Sequence, residues 1–134
     1  MTVQYSDAVR DAKNDVVETT IGTSPKLQFR SGAKPANCAA ADSGTLIAEL
    51  TLPSDWMSNS SGGVKVKQGT WTGSAIAAGI IAHYRLKDSA GTTCHEQGSV
   101  TITGGGGDMT VDNDNVANGQ TVSVTGYQKT SGNP

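Results

Sequence analysis

The run Gly104 to Gly107 is the feature most suggestive of a ligand, since backbone N–H groups without side chains can cradle a phosphate. A phosphate loop, however, needs a Lys-Ser/Thr pair behind the glycines, and here Asp108-Met109 follow, placing a carboxylate where the phosphate would go. The run therefore predicts a flexible turn. Asp112-Asn113-Asp114-Asn115-Val116 opens like a calcium loop. Its fifth, sixth and twelfth places are Val116, Ala117 and Ser123, where an oxygen ligand, a glycine and a bidentate Glu belong, so an Asx-rich turn is expected.

His83 and His95 are the two histidines. Cys94 and His95 are adjacent on a predicted strand and point to opposite faces, which is unsuited to a zinc site. Cys38 and Cys94 lie 56 positions apart (94 − 38) with no CxxC spacing. Three readings stay open for them: two half-buried thiols kept reduced in a cytosol, a disulfide formed after release from the cell, or a reactive or ligand thiol. No Gly-x-Ser-x-Gly elbow occurs. Glu49, Glu96 and the aspartates fall in predicted turns or on outward faces, giving no paired-carboxylate site. The expectation is a protein that is not an enzyme and has no catalytic, cofactor-binding or metal-binding residues. Recognition chemistry is better represented. Trp56-Met57 stand in a Ser/Pro/Asp-rich connection, and Trp dominates many interfaces while Met adapts to irregular contacts. Trp56, Met57, Tyr5 and Trp71 are the candidate interface residues, set against the alternative that each Trp caps the core.

The elements that must position these residues are mostly strands. Ser6 as N-cap and Asp7 in the first turn open one helix, about residues 6–21. Val9, Ala12, Val16 and Ile21 recur along it at helical spacing, and Gly22 and Pro25 end it. That apolar stripe must be covered by the protein's own sheet or by a neighbour. The period then switches to two. Strands are predicted at Lys26 to Arg30, Thr45 to Leu52, Val64 to Trp71, Ile80 to Lys87, Cys94 to Thr103, Asp108 to Asp112 and Gln120 to Gln128. Leu46, Ala48, Leu50 and Leu52 share one face of the second, and Ile47, Glu49 and Thr51 the other. Turns every 8 to 12 residues or so indicate an antiparallel sandwich or barrel. The tail Thr130 to Pro134 reads as frayed.

The chain has 134 residues, one domain's worth, with 17 glycines and a charged fraction of 16%. With two Trp, three Tyr and one Phe, the core must draw mainly on Val, Ile, Leu and Ala. A net charge of −2 without a basic run argues against nucleic acid as a partner. The longest apolar stretch, Ala75 to Ala82, falls far short of the roughly 20 residues of a membrane span. Met1 to Ser6 lack the basic and apolar regions of a secretory signal, which predicts synthesis and folding in a cytoplasm.

Several segments carry a family resemblance. Tyr5 to Ala12 and Glu18 to Gly22, then Arg30-Ser31-Gly32-Ala33-Lys34-Pro35-Ala36-Asn37-Cys38, Leu52-Pro53-Ser54-Asp55-Trp56-Met57 and Gly107 to Asn113, resemble small virion proteins of tailed bacteriophages. The chain is similar to their head cement or decoration proteins. The resemblance implies a mainly β, single antiparallel β-sandwich that is jelly-roll-like, with one N-terminal α-helix. It further implies a virion location after synthesis in a bacterial host, and a partner in the major capsid protein lattice. Other copies of the chain are expected as partners too, because small coat modules usually form symmetric homo-oligomers. The alternatives are a tail or fibre component, or a host- or carbohydrate-binding β module; the few aromatic residues argue against the last.

Overall fold

The computed structural model describes residues 3–132. One helix, α1 (Asp7–Ile21), precedes ten strands: β1 (Lys26–Arg30), β2 (Leu46–Thr51), β3 (Val64–Val66), β4 (Thr72–Ser74) and β5 (Gly79–Ile80), then β6 (His83–Lys87), β7 (Cys94–Ile102), β8 (Met109–Val111), β9 (Asn115–Val116) and β10 (Thr121–Thr130). The chain is mainly β with one helix, as its periodicities predict.

Eight strands form a single hydrogen-bonded sheet in the order β2-β1-β6-β7-β8-β10-β3, with β4 also pairing β10. The sheet curls. An Ala48↔Ala75 bridge and the Ile76 N–H donating to the Ile47 carbonyl (2.8 Å) bring β2 back to the chain beyond β4. The expected purely antiparallel pairing is corrected at one seam: β7 and β8 run parallel, Val100 opposite Met109 and Ile102 opposite Val111. Parallel neighbours ordinarily need a crossover of a dozen residues or more. Here the glycine run replaces it by folding directly back over β7. A Cβ at Gly105 would lie 2.7 Å from the Thr101 side chain, and one at Gly107 2.8 Å from the Thr101 nitrogen. The Gly107 N–H donates to Thr101 Oγ1 (3.0 Å), and Asp108 accepts from the Ser99 N–H (2.9 Å). The glycines thus serve close backbone approach.

Several strand boundaries are also corrected. The stretch expected as one strand from Val64 to Trp71 keeps only β3, because the chain turns Trp71 into the core. The run from Ile80 to Lys87 splits, β5 pairing β9 while β6 enters the main sheet. Thr130 is paired with Val64 and the Ser131 N–H donates to Gly63 (2.8 Å), so the expected frayed tail is ordered here. Its residues 133 and 134 lie outside the described residues. On β2, Ile47 is buried together with Ala48 and Leu50, since β5 covers the second face at that point.

The core holds more aromatic mass than the composition led one to expect. Phe29, Trp56, Trp71, Tyr84 and Tyr127 are all buried, beside Leu27, Leu50, Ile81, Leu86 and Val111. Trp71 sits 6.0 Å from Trp56 and 5.3 Å from Tyr127, tilted against both, in the range where aromatic pairs attract beyond their burial.

All of β6 is buried, on both faces. Tyr84 and Leu86 point to the core. His83, Arg85 and Lys87 lie under the segment 31–45, which crosses the outer face of the sheet. Arg85 donates to the carbonyls of Ala40 (3.0 Å) and Cys38 (2.8 Å) and to Asp42 (2.7 Å); Lys87 and Arg30 also bind Asp42, at 2.7 and 3.1 Å. His83 Nδ1 donates to the Gly32 carbonyl (2.9 Å), and burial pushes this imidazole below its ordinary pKa.

Candidate protein interface

The helix forms where its local chemistry dictates. Ser6 Oγ accepts from the Val9 N–H (3.4 Å), and the Gly22 N–H donates to the Glu18 carbonyl (2.9 Å) with φ at 91°. Its orientation is unexpected. The helix meets the sheet largely through its polar side, with Val17 and Ile21 packed on the core near its end. Asp11 Oδ1 accepts from Ser60 Oγ and from the Gly63 N–H, both at 2.8 Å. Asn14, nearly fully buried, donates to the Gly63 carbonyl (2.8 Å). Lys65 Nζ, from β3, reaches Asp15 and Glu18 at 2.7 Å each, and Arg10 Nε donates to the Ser131 carbonyl (2.8 Å).

The stripe predicted to be covered is therefore mostly uncovered, and only Ile21 at its end is buried. Val9 and Val16 are 42% and 56% exposed, with Val3 and Tyr5 exposed just upstream. The physical reason lies in the surface that receives the helix. Residues 58–65 present backbone groups, a serine hydroxyl and a lysine that need polar partners, while Trp56 and Trp71 already fill the core beneath. Beside Val16 a shallow groove of about 210 Å³ continues the apolar face, lined by Val16, Val17, Thr20, Ile21 and His95.

The four candidate residues separate. Tyr5 lies on this outer face, its ring 4.7 Å from Lys13 Nζ. Trp56, Met57 and Trp71 do not reach the surface, which corrects their assignment as interface residues. Trp56 is 0% exposed and donates from Nε1 to the Gly22 carbonyl (2.9 Å), tying the end of α1 to the core. Met57 is bridged to Lys67, and Trp71 Nε1 donates to the Gln68 carbonyl (3.0 Å). The Ser/Pro/Asp-rich setting of Trp56 implied exposure, yet the segment folds inward because both indoles find carbonyl acceptors.

Sequence reasoning missed the buried polar groups. Glu96 does not face outward: its Oε2 accepts from Tyr84 and Tyr127 hydroxyls at 2.6 Å each, and Lys129 pairs with Oε1. Burial first, and the Glu96 charge second, push both tyrosines above their ordinary pKa. Asp42 gathers three cations from β1 and β6. The available signal was the alternation of His83, Arg85 and Lys87 with Tyr84 and Leu86, a polar face that becomes internal only once the segment 31–45 closes over it.

Among the described residues, no group of three His, Cys, Asp or Glu side chains is placed to hold a metal ion, and no helix is long and apolar enough to cross a membrane. The helix contact yields a direct test. Lys65→Met should cost about 1–2 kcal/mol, since the carboxylates it frees remain partly solvated. Hydrogen exchange of the α1 amides should accelerate more than that of β6. Uniform acceleration of both would show that the helix and sheet unfold as one unit. Compared with protein-family models, with curated proteins and with solved structures, the chain matches none.

Proposed function

We propose that this protein is a structural component of a tailed-bacteriophage particle, a capsid cement or decoration protein that binds and stabilises the assembled head lattice. The observation that carries this reading is the inverted helix: polar side chains fasten α1 to the sheet, and Val9, Val16 and Tyr5 are left facing outward. A protein lattice is the partner that this apolar, weakly charged face suits, with other copies of the chain as neighbours on it. In this reading the curled sheet plays the part of a jelly-roll-like coat domain. Placement in a tail or fibre is the alternative. A carbohydrate platform is disfavoured, because the aromatic residues other than Tyr5 are buried and offer no stacking surface.

The test is Val9→Glu combined with Val16→Glu. Both positions are exposed, so the variant should keep its melting temperature while losing about thirtyfold in affinity for particles lacking the protein, equivalent to roughly 2 kcal/mol. Wild-type binding should change little with salt. Undiminished binding by the variant would remove the helix from the interface. Counting copies separates head from tail, since a head lattice takes hundreds and a tail structure few.

A further inference from the structure

We propose that Cys38 and Cys94 are a reversible redox pair whose disulfide staples the segment 31–45 to β7. Both are free, half-buried thiols on the wall of one pocket of about 220 Å³, shared with Asp42, Arg85, Lys87 and Thr92. Contacts that do not involve the Cys38 sulfur hold the two residues on that wall. The guanidinium of Arg85 spans the two cysteines, donating from Nε to Cys94 Sγ (3.3 Å) and from Nη2 to the Cys38 carbonyl (2.8 Å). On either side of Cys38, Gln97 Nε2 donates to the Pro35 carbonyl (2.7 Å) and Arg85 Nη1 to that of Ala40 (3.0 Å). Two thiols held on one pocket wall by a shared guanidinium react as an intramolecular pair, with the ordering entropy already spent on other bonds.

The oxidant is a small-molecule disulfide. Cys94, whose sulfur already accepts from the guanidinium, attacks as thiolate, forming a mixed disulfide and releasing one small thiol. Cys38, deprotonated in turn, displaces the second small thiol and forms the Cys38–Cys94 bond. Two protein thiols are oxidised by two electrons, the oxidant is reduced to two thiols, and the two protons leave with them. The bond closes a loop between residues 56 positions apart (94 − 38), long enough for cross-linking to restrict the unfolded chain substantially.

The test uses the whole protein, reduced and then exposed to oxidised glutathione. Alkylation after denaturation, followed by mass spectrometry, should find a monomer lighter by two hydrogens, without alkyl groups or bound glutathione. The melting temperature should rise by about 10 °C and fall again with dithiothreitol. Cys38→Ala should stop at the glutathione adduct of Cys94 and show no such rise. A wild-type product that remains a glutathione adduct, or that links two chains, would overturn the proposal. So would a rise in melting temperature that survives in Cys38→Ala.

Discussion

Replacing Trp56 with alanine is expected to destabilise the fold by about 3–5 kcal/mol, the loss associated with removing a fully buried indole. Three things disappear together. The ring leaves a cavity against Trp71, the Gly22 carbonyl loses its donor, and the end of α1 loses its tie to the core. The consequence differs from that of an interface anchor, whose removal weakens binding and leaves folding intact. Urea denaturation of the isolated protein measures it. A change under about 1 kcal/mol would mean that Trp56 is not the core residue its burial implies.

Arg85→Ala should cost a similar amount, about 3–5 kcal/mol, for a different reason. Arg85 is buried and donates to two carbonyls, a sulfur and Asp42, so its loss removes four hydrogen bonds that hold the segment 31–45 on the sheet. The same cluster makes stability depend on pH. Burial alone would raise the Asp42 pKa, but the Lys87 hydrogen bond and the charges of Arg30, Lys87 and Arg85 outweigh it and hold the carboxyl below its ordinary value. The folded state thus binds this proton less readily than the unfolded chain. Asp42's contribution is complete above the unfolded carboxylate range, about pH 4, and is lost as pH falls through the lower folded value. In Arg85→Ala, with one of three cations gone, acid should erode stability less steeply. Denaturant midpoints for both proteins between neutral pH and about pH 3 read this directly. Parallel curves would show that Asp42 draws its shift from Arg30 and Lys87 alone.

What the amino-acid sequence determined by itself was everything settled within a few neighbouring residues. The Ser6 cap and the Gly22 stop place α1 to within a residue, since both act through hydrogen bonds and backbone conformations inside one turn. Alternation in β1 and β2 identifies them as strands, and the Asx turn at Asp112 follows from a carboxylate that can bond its own following backbone. The exposed apolar face of α1 was legible in part, because the spacing of Val9 and Val16 shows that the stripe exists. Which side of the helix meets the sheet depends on what the sheet offers. Residues 58–65, some fifty positions away, offer polar groups, and only the tertiary structure brings them there. Burial of Trp56, the parallel pairing of β7 with β8, and the Asp42 and Glu96 clusters were decided in the same way. Each rests on partners distant in sequence, and a charged side chain reads as exposed until a segment from elsewhere in the chain closes over it and satisfies its hydrogen bonds.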